Sequence, residues 1–254
     1  MLLGVKSVRA RREYGKLPTE RDDMSVVSRS NLIQAFVSLA VTLLLMAAVM
    51  FLSAGTFRWP HGLLFLAVFL FLTLVAMAWL WRVNSEIFVA RRRLTGQGTK
   101  GWDLALLLIL LASFLATLIV GGLDDGRFHW APAPPWAVLL GYALLLVGYW
   151  GTGWAQAVNR HFEPSVRIQS DRDHQVITTG PYAYVRHPGY IFGIILTFGV
   201  ALALGSLWAL LPAMLVVIVL AIRTDLEDAT LRRELPGYGE FAVRVRYKWI
   251  PGIW

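Results

Sequence analysis

Apolar residues fall in long blocks, not in short alternations. Runs at Leu32–Leu52, Gly62–Leu80, Leu104–Gly122 and Trp136–Ala157 are each close to the ~20 residues that cross a bilayer as a helix. A polar stretch, Val158–His187, follows. Two further apolar runs then stand back to back, Tyr190–Leu204 and Leu207–Ile222, parted by Gly205-Ser206, which reads as a tight turn. These two are short: at ~1.5 Å per residue, about 16 residues cover only ~24 Å of a ~30 Å hydrocarbon core. The pattern predicts a helical hairpin over 190–222 whose ends are shielded by protein. A polar tail, Arg223–Trp254, closes the chain. The expected fold is all-α: a polytopic membrane helical bundle of about six spans.

Charge orients the bundle. With both termini in the cytosol, seven Lys/Arg lie in the N-terminal tail, five in the connection at 82–103, four in 158–187 and six in the C-terminal tail, and only Arg58 and Arg127 fall outside. That sorting follows the positive-inside rule. It also accounts for a net charge of +8 through orientation and anionic head groups, with no need of nucleic acid. The expected organisation is a cytosolic arm over 1–31, four transmembrane helices within 32–157, and a catalytic region over 158–254. No secretory signal is read in the first 31 residues, which hold no apolar h-region. For a bacterial chain the location would be the inner membrane. The sequence has no cysteine, which excludes disulfides, thiolate metal sites and cysteine nucleophiles.

Several motif-like features have plainer readings. "GTG" at Gly151–Gly153 lies inside an apolar run, where small residues serve helix packing and not dinucleotide binding. His61 and His129, beside Trp59 and Trp130, read as interfacial anchors. "ARRRL" at Ala90–Leu94 reads as inner-leaflet anchoring. The five histidines lack ligand spacing, so no metal is expected.

Three pieces carry chemistry: Val166–Tyr190, Arg223–Asp228 and Leu231–Gly252. Arg186 and His187 stand where the chain enters an apolar helix, and desolvating them is costly without partners. Pro188 suits the first turn of that helix. Arg223 and Glu227, four residues apart, share a helix face and can pair with one another. Taken together they describe a two-ended pocket, polar and aromatic toward the cytosol and cationic toward the lipid. Such a pocket suits a water-soluble cofactor meeting a lipid-side substrate.

These pieces resemble the isoprenylcysteine carboxyl methyltransferase family of membrane enzymes. "GPYAYVRHPGY" at 180–190 is similar to its GxYxxxRHPxY element, "RTDLED" at 223–228 to its acidic Arg-Thr element, and "YGEFAVRVRYKWIP" at 238–251 to its closing motif. Asp225 and Leu226 stand where the family has glutamates, and Phe241 where it has tyrosine. The resemblance implies S-adenosylmethionine held without a Rossmann domain. It implies cofactor contacts from Gln169, His174, Gln175, Val176, Ile177, Tyr182, His187, Pro188, Gly189, Tyr190 and Glu227. Arg223 would face and orient the acceptor as catalytic and substrate-binding residue.

Methyl transfer from a sulfonium needs alignment and exclusion of water more than acid–base chemistry. A carboxylate acceptor needs orientation alone, which an arginine fork provides. The expected function is therefore methylation of a lipid-side acceptor, anionic in the first instance, such as a prenylcysteine-type carboxylate. A phospholipid amine or a thiol as acceptor is the alternative with the same cofactor. An NADPH-dependent sterol-type reductase is the alternative with another cofactor, since such enzymes carry an element similar to RHPxY. A transporter would place its ionisable groups at the midplane, not at the boundary.

Overall fold

The computed structural model describes residues 29–90 and 95–254. The arm expected over 1–31 lies outside them except for its last three residues, and the arginines of the 90–94 run lie outside them too. Among the described residues the regular elements are helical, apart from one bridge between Pro132 and Ser206. In chain order they are α1 (Arg29–Ala54), α2 (Pro60–Val83), the single turn α3 (Ile87–Ala90), α4 (Gly101–Gly121), α5 (Pro135–Val158), α6 (Pro188–Ala203), α7 (Leu210–Glu234) and α8 (Tyr238–Arg244). Four stretches are long and apolar enough to span a membrane: Ile33–Ala54, Pro60–Val83, Gly101–Phe128 and Pro135–Val158. Their outer faces expose Leu44, Leu52, Leu108 and Leu139, a pattern suited to lipid.

Local chemistry sets the boundaries. Pro60, Pro135 and Pro188 open α2, α5 and α6 at the position where a missing N–H costs nothing. α4 continues into a π-helical turn, Gly122–Phe128, ended by His129 in the left-handed conformation. Gly205, at φ +79°, makes the turn from α6 to α7, so the expected hairpin is present. Its second arm is longer than expected. α7 runs on to Glu234 and carries Arg223, Glu227 and Asp228 on one continuous helix.

α5 and α6 pack closest. A Cβ on Gly148 would come 2.6 Å from Leu196 Cβ, and one on Gly199 would come 2.5 Å from the Leu145 amide. Gly151 lies against the Phe192 ring. The glycines thus let two backbones approach as membrane helices often do, the role read for "GTG". The main core gathers Met50, Phe65, Leu118, Leu145, Val200 and Leu204 from five helices.

Polar side chains collect at the two ends of the bundle. At one end, Asp124 accepts from the Ala131 amide (2.7 Å) and the Ser206 hydroxyl (2.6 Å). Asp125 accepts from the Trp59 indole (2.6 Å) and meets His61 Nδ1 (2.7 Å). Trp59 is accordingly buried, not an exposed anchor, whereas Trp130 is exposed and stacks on Phe128. The other end holds the candidate site.

Candidate functional site

The site forms where the 159–187 segment folds back over the ends of α6 and α7. Segment 180–183 makes a 3₁₀ turn, and Gly180 takes φ +59°, which side chains rarely adopt, with Trp154 and Val158 of α5 close by. Asn159, just after α5, donates to the Tyr182 hydroxyl (2.9 Å). Gln169 is almost fully buried and ties the loop to itself: its amide nitrogen donates to the His161 carbonyl (2.7 Å), and its backbone amide donates to His174 Nδ1 (3.3 Å). The His161 and His174 rings lie 4.5 Å apart. Burial pushes both imidazoles below the ordinary histidine range, His174 to about 4, helped by nearby Arg167 and Arg172. Both are therefore neutral near pH 7.

These elements enclose a cavity of about 300 Å³, at the lower end of the ~300–1,000 Å³ typical of small-molecule sites. Nearly all the residues expected around a cofactor line it. Gln169, His174, Gln175, Val176 and Ile177 come from the loop; Tyr182, His187, Gly189 and Tyr190 from the turn and the start of α6; Glu227 and Arg223 from α7. Pro188 does not line it and serves as the first residue of α6. The Tyr190 hydroxyl donates to Glu227, and the Tyr190 ring stacks on His187 at 5.6 Å. Glu227 thus meets Tyr190, not Arg223 as helix spacing allowed.

Both arginines have partners that their motifs did not reveal. Arg223 Nε donates to Asp103 Oδ1 (2.7 Å), and its NH2 group donates to Asp103 Oδ2 (3.2 Å) and the Pro164 carbonyl (2.5 Å). Its guanidinium also lies 5.3 Å from the Tyr190 ring centre. Asp103, in the first turn of α4 and fully buried, accepts from the Val166 amide as well (2.7 Å). Arg223 therefore borders the cavity with its charge offset by Asp103, a partner that helix spacing did not indicate.

Arg186 is a rivet. It donates to both oxygens of Asp228 (2.7 and 3.2 Å) and to the Val245 and Arg246 carbonyls (2.8 and 2.6 Å). Tyr238 donates to the same carboxylate (2.8 Å). The cost of burying Arg186 at the helix start is thus met by Asp228 and the tail. Its bonded partners are structural, and both Arg186 and His187 line the cavity.

Several lining residues had no sequence signal. Glu163 is buried against Arg167 (2.7 Å). Ser165, 6% exposed, has a buried hydroxyl with no hydrogen-bond partner. That hydroxyl has almost no accessible surface, so it is an unsatisfied buried group behind the cavity wall. The only hint of Asp103 was an acidic residue opening an apolar helix.

Residues 136–236 match the phospholipid methyltransferase family. The match spans 101 of the 254 residues, from the start of α5 to just past α7. No curated protein matches the chain. The matched segment contains α5, the folded loop, α6 and α7, and so most of the cavity wall. With the four helices long and apolar enough to span a membrane, this similarity supports an integral membrane protein, one region of which is similar to a membrane methyltransferase family.

Proposed function

We propose that this protein is a membrane methyltransferase that holds S-adenosylmethionine in the cavity and methylates a membrane lipid. One observation carries the reading: the cavity at the end of the α6–α7 hairpin is walled by the segments that resemble cofactor-binding motifs, and these lie within the match to phospholipid methyltransferases. The residues suit the cofactor chemically. Glu227 supplies a carboxylate for an amino group or ribose hydroxyls, Tyr182 and Tyr190 supply aromatic faces, and the 174–177 backbone supplies polar edges for an adenine.

When bound, the cofactor supplies an electrophilic methyl group on a positively charged sulfur. The protein's tasks are then to position, to balance charge and to exclude water. Tyr190 holds Glu227 through Oε2 and leaves Oε1 as an acceptor. Arg223, fixed by Asp103 and Pro164, sets the floor of the cavity next to Leu107 of α4. Because Asp103 offsets that charge, the arginine no longer argues for an anionic acceptor. The family match then supports a phospholipid amine, whose ammonium must release its proton to solvent before its nitrogen takes the methyl group, with a prenylcysteine-type carboxylate, which needs no such step, as the second reading, on the sequence motifs.

Calorimetric titration of the detergent-solubilised protein tests the cofactor. S-adenosylhomocysteine should bind saturably, and Glu227→Ala should lose that binding; NADPH binding in its place would overturn the proposal. Transfer of labelled methyl to vesicles of phosphatidylethanolamine, set against S-farnesylcysteine, then separates the acceptors.

A further inference from the structure

The end of the tail, read from charge as cytosolic, turns back toward the bundle. Main-chain bonds tie it to the start of α6: the Arg186 amide donates to the Tyr247 carbonyl (3.0 Å) and the His187 amide to the Lys248 carbonyl (2.9 Å). Trp249 then enters the protein. Its indole donates to the Thr224 hydroxyl of α7 (3.0 Å), and its ring joins an apolar cluster with Ile194 of α6 and Val216 and Leu220 of α7. Trp254 packs against the same cluster, edge-on to Trp249 with ring centres 4.7 Å apart.

The depth of that cluster follows from α5. Phe192 and Leu196, either side of Ile194, lie against Gly151 and Gly148 of α5. α5 has 24 residues and is apolar enough to span a membrane. At ~1.5 Å per residue it is ~36 Å long, and both glycines stand within ~7 Å of its midpoint. A hydrocarbon core of ~30 Å centred on α5 therefore takes in the cluster. Residues 249–254 are packed on it from the side of α6 and α7.

Main chain at that depth must bond internally, because hydrocarbon offers it no partner. The 248–254 turn meets this demand. Pro251 has no N–H. The amides of Lys248, Trp249 and Ile250 donate to the Trp254 main-chain oxygen (2.8, 2.9 and 3.2 Å), and those of Ile253 and Trp254 to the Ile250 carbonyl (3.1 and 3.2 Å). The side chains it leaves outside are apolar: Ile250 is 41% exposed and Ile253 77%. α7, which carries part of the cluster, also exposes Leu215, Ile218 and Ile222. Lys248 pairs with Asp225 and lies 4.6 Å from the Trp254 ring centre, a cation beside an aromatic as at a head-group boundary. We propose that residues 249–254 form a re-entrant membrane wedge whose partner is the acyl layer of the leaflet on the site's side, entered by Ile250 and Ile253. The inference does not depend on the methyltransferase reading.

The chain has no cysteine, so single-cysteine variants can be labelled selectively. Ile253→Cys, Ile250→Cys and, as the aqueous reference, Glu240→Cys on α8 are coupled to the polarity-sensitive dye NBD in the full chain and placed in phosphatidylcholine nanodiscs. All three side chains are exposed, and a single size-exclusion peak confirms the fold. At 253 and 250 the emission should shift to the blue of that at 240. It should lose its quenching by aqueous iodide and gain quenching by lipid with a doxyl group on an acyl chain. Emission and iodide quenching at 253 and 250 equal to those at 240 would overturn the proposal. Stronger quenching by a head-group nitroxide than by the acyl doxyl would place the turn on the membrane surface only, and would overturn it too.

Discussion

Asp103→Asn is the sharpest probe of how the site is held. The substitution keeps the shape of the side chain but removes the charge facing Arg223, whose side chain is 7% exposed. The amide oxygen can still accept one of the two hydrogen bonds, now 2.7 and 3.2 Å, but the guanidinium loses its directly bonded carboxylate and keeps only neutral acceptors, the Pro164 carbonyl and the Tyr190 ring, in direct contact. Removing one member of a buried pair costs about 3–5 kcal/mol, because the other charge is left uncompensated. For a chain of this size each kcal/mol moves the unfolding midpoint by ~2–4 °C, so a fall of ~6–20 °C is expected. The assay is thermal unfolding in detergent of Asp103→Asn, Arg223→Met and the double variant. The double variant should be more stable than the two single costs added together, since it buries no lone charge. Additive costs, or a midpoint unchanged in Asp103→Asn, would refute the claim that this pair fastens α4 to α7.

Four further outcomes follow from the geometry. Ser165→Ala should leave the protein as stable as before or slightly more so by thermal unfolding, since its hydroxyl is buried and already without a partner. Asp228→Leu should lower the unfolding midpoint and expose the tail to protease, because Arg186 and Tyr238 both rely on that carboxylate. Gly148→Leu should disrupt the α5–α6 contact, read as loss of folded protein on size exclusion, since its Cβ has no room beside Leu196. The histidine pair gives a pH dependence. His174 and His161 have folded values below the ordinary 6.5, so their contribution is complete above about 6.5 and is lost as pH falls toward about 4. Amide exchange in 161–177 should therefore accelerate across that window, and His174→Gln should flatten the response.

The spanning helices were legible because lipid demands long apolar runs and internally bonded backbone, and those requirements are written directly in residue order. The hairpin turn was legible for a similar reason, since Gly205 takes a conformation other residues avoid. Within the site, residues carried by local motifs were found, and the 174–177 strip, Tyr182, His187, Tyr190 and Glu227 share one cavity. Only Pro188 among them stands outside it. What local order could not give were the partners of charge. Asp103 and Arg223 are 120 positions apart, and Arg186 and Asp228 are 42 apart.

The sequence by itself determined that this chain is helical and built for a membrane, and it determined which polar segments gather at one end. Both depend on neighbours in the chain: hydropathy over one span, glycine at one turn, spacing along one helix. The tertiary structure alone decided what the buried charges do. It joined Arg223 to Asp103 and made Arg186 a rivet to Asp228, because the cost of an unpaired buried charge is settled by whatever group the fold brings within ~3 Å. It also decided that Ser165 and Thr152 would keep bare hydroxyls, since satisfaction of a polar atom depends on the whole enclosure around it.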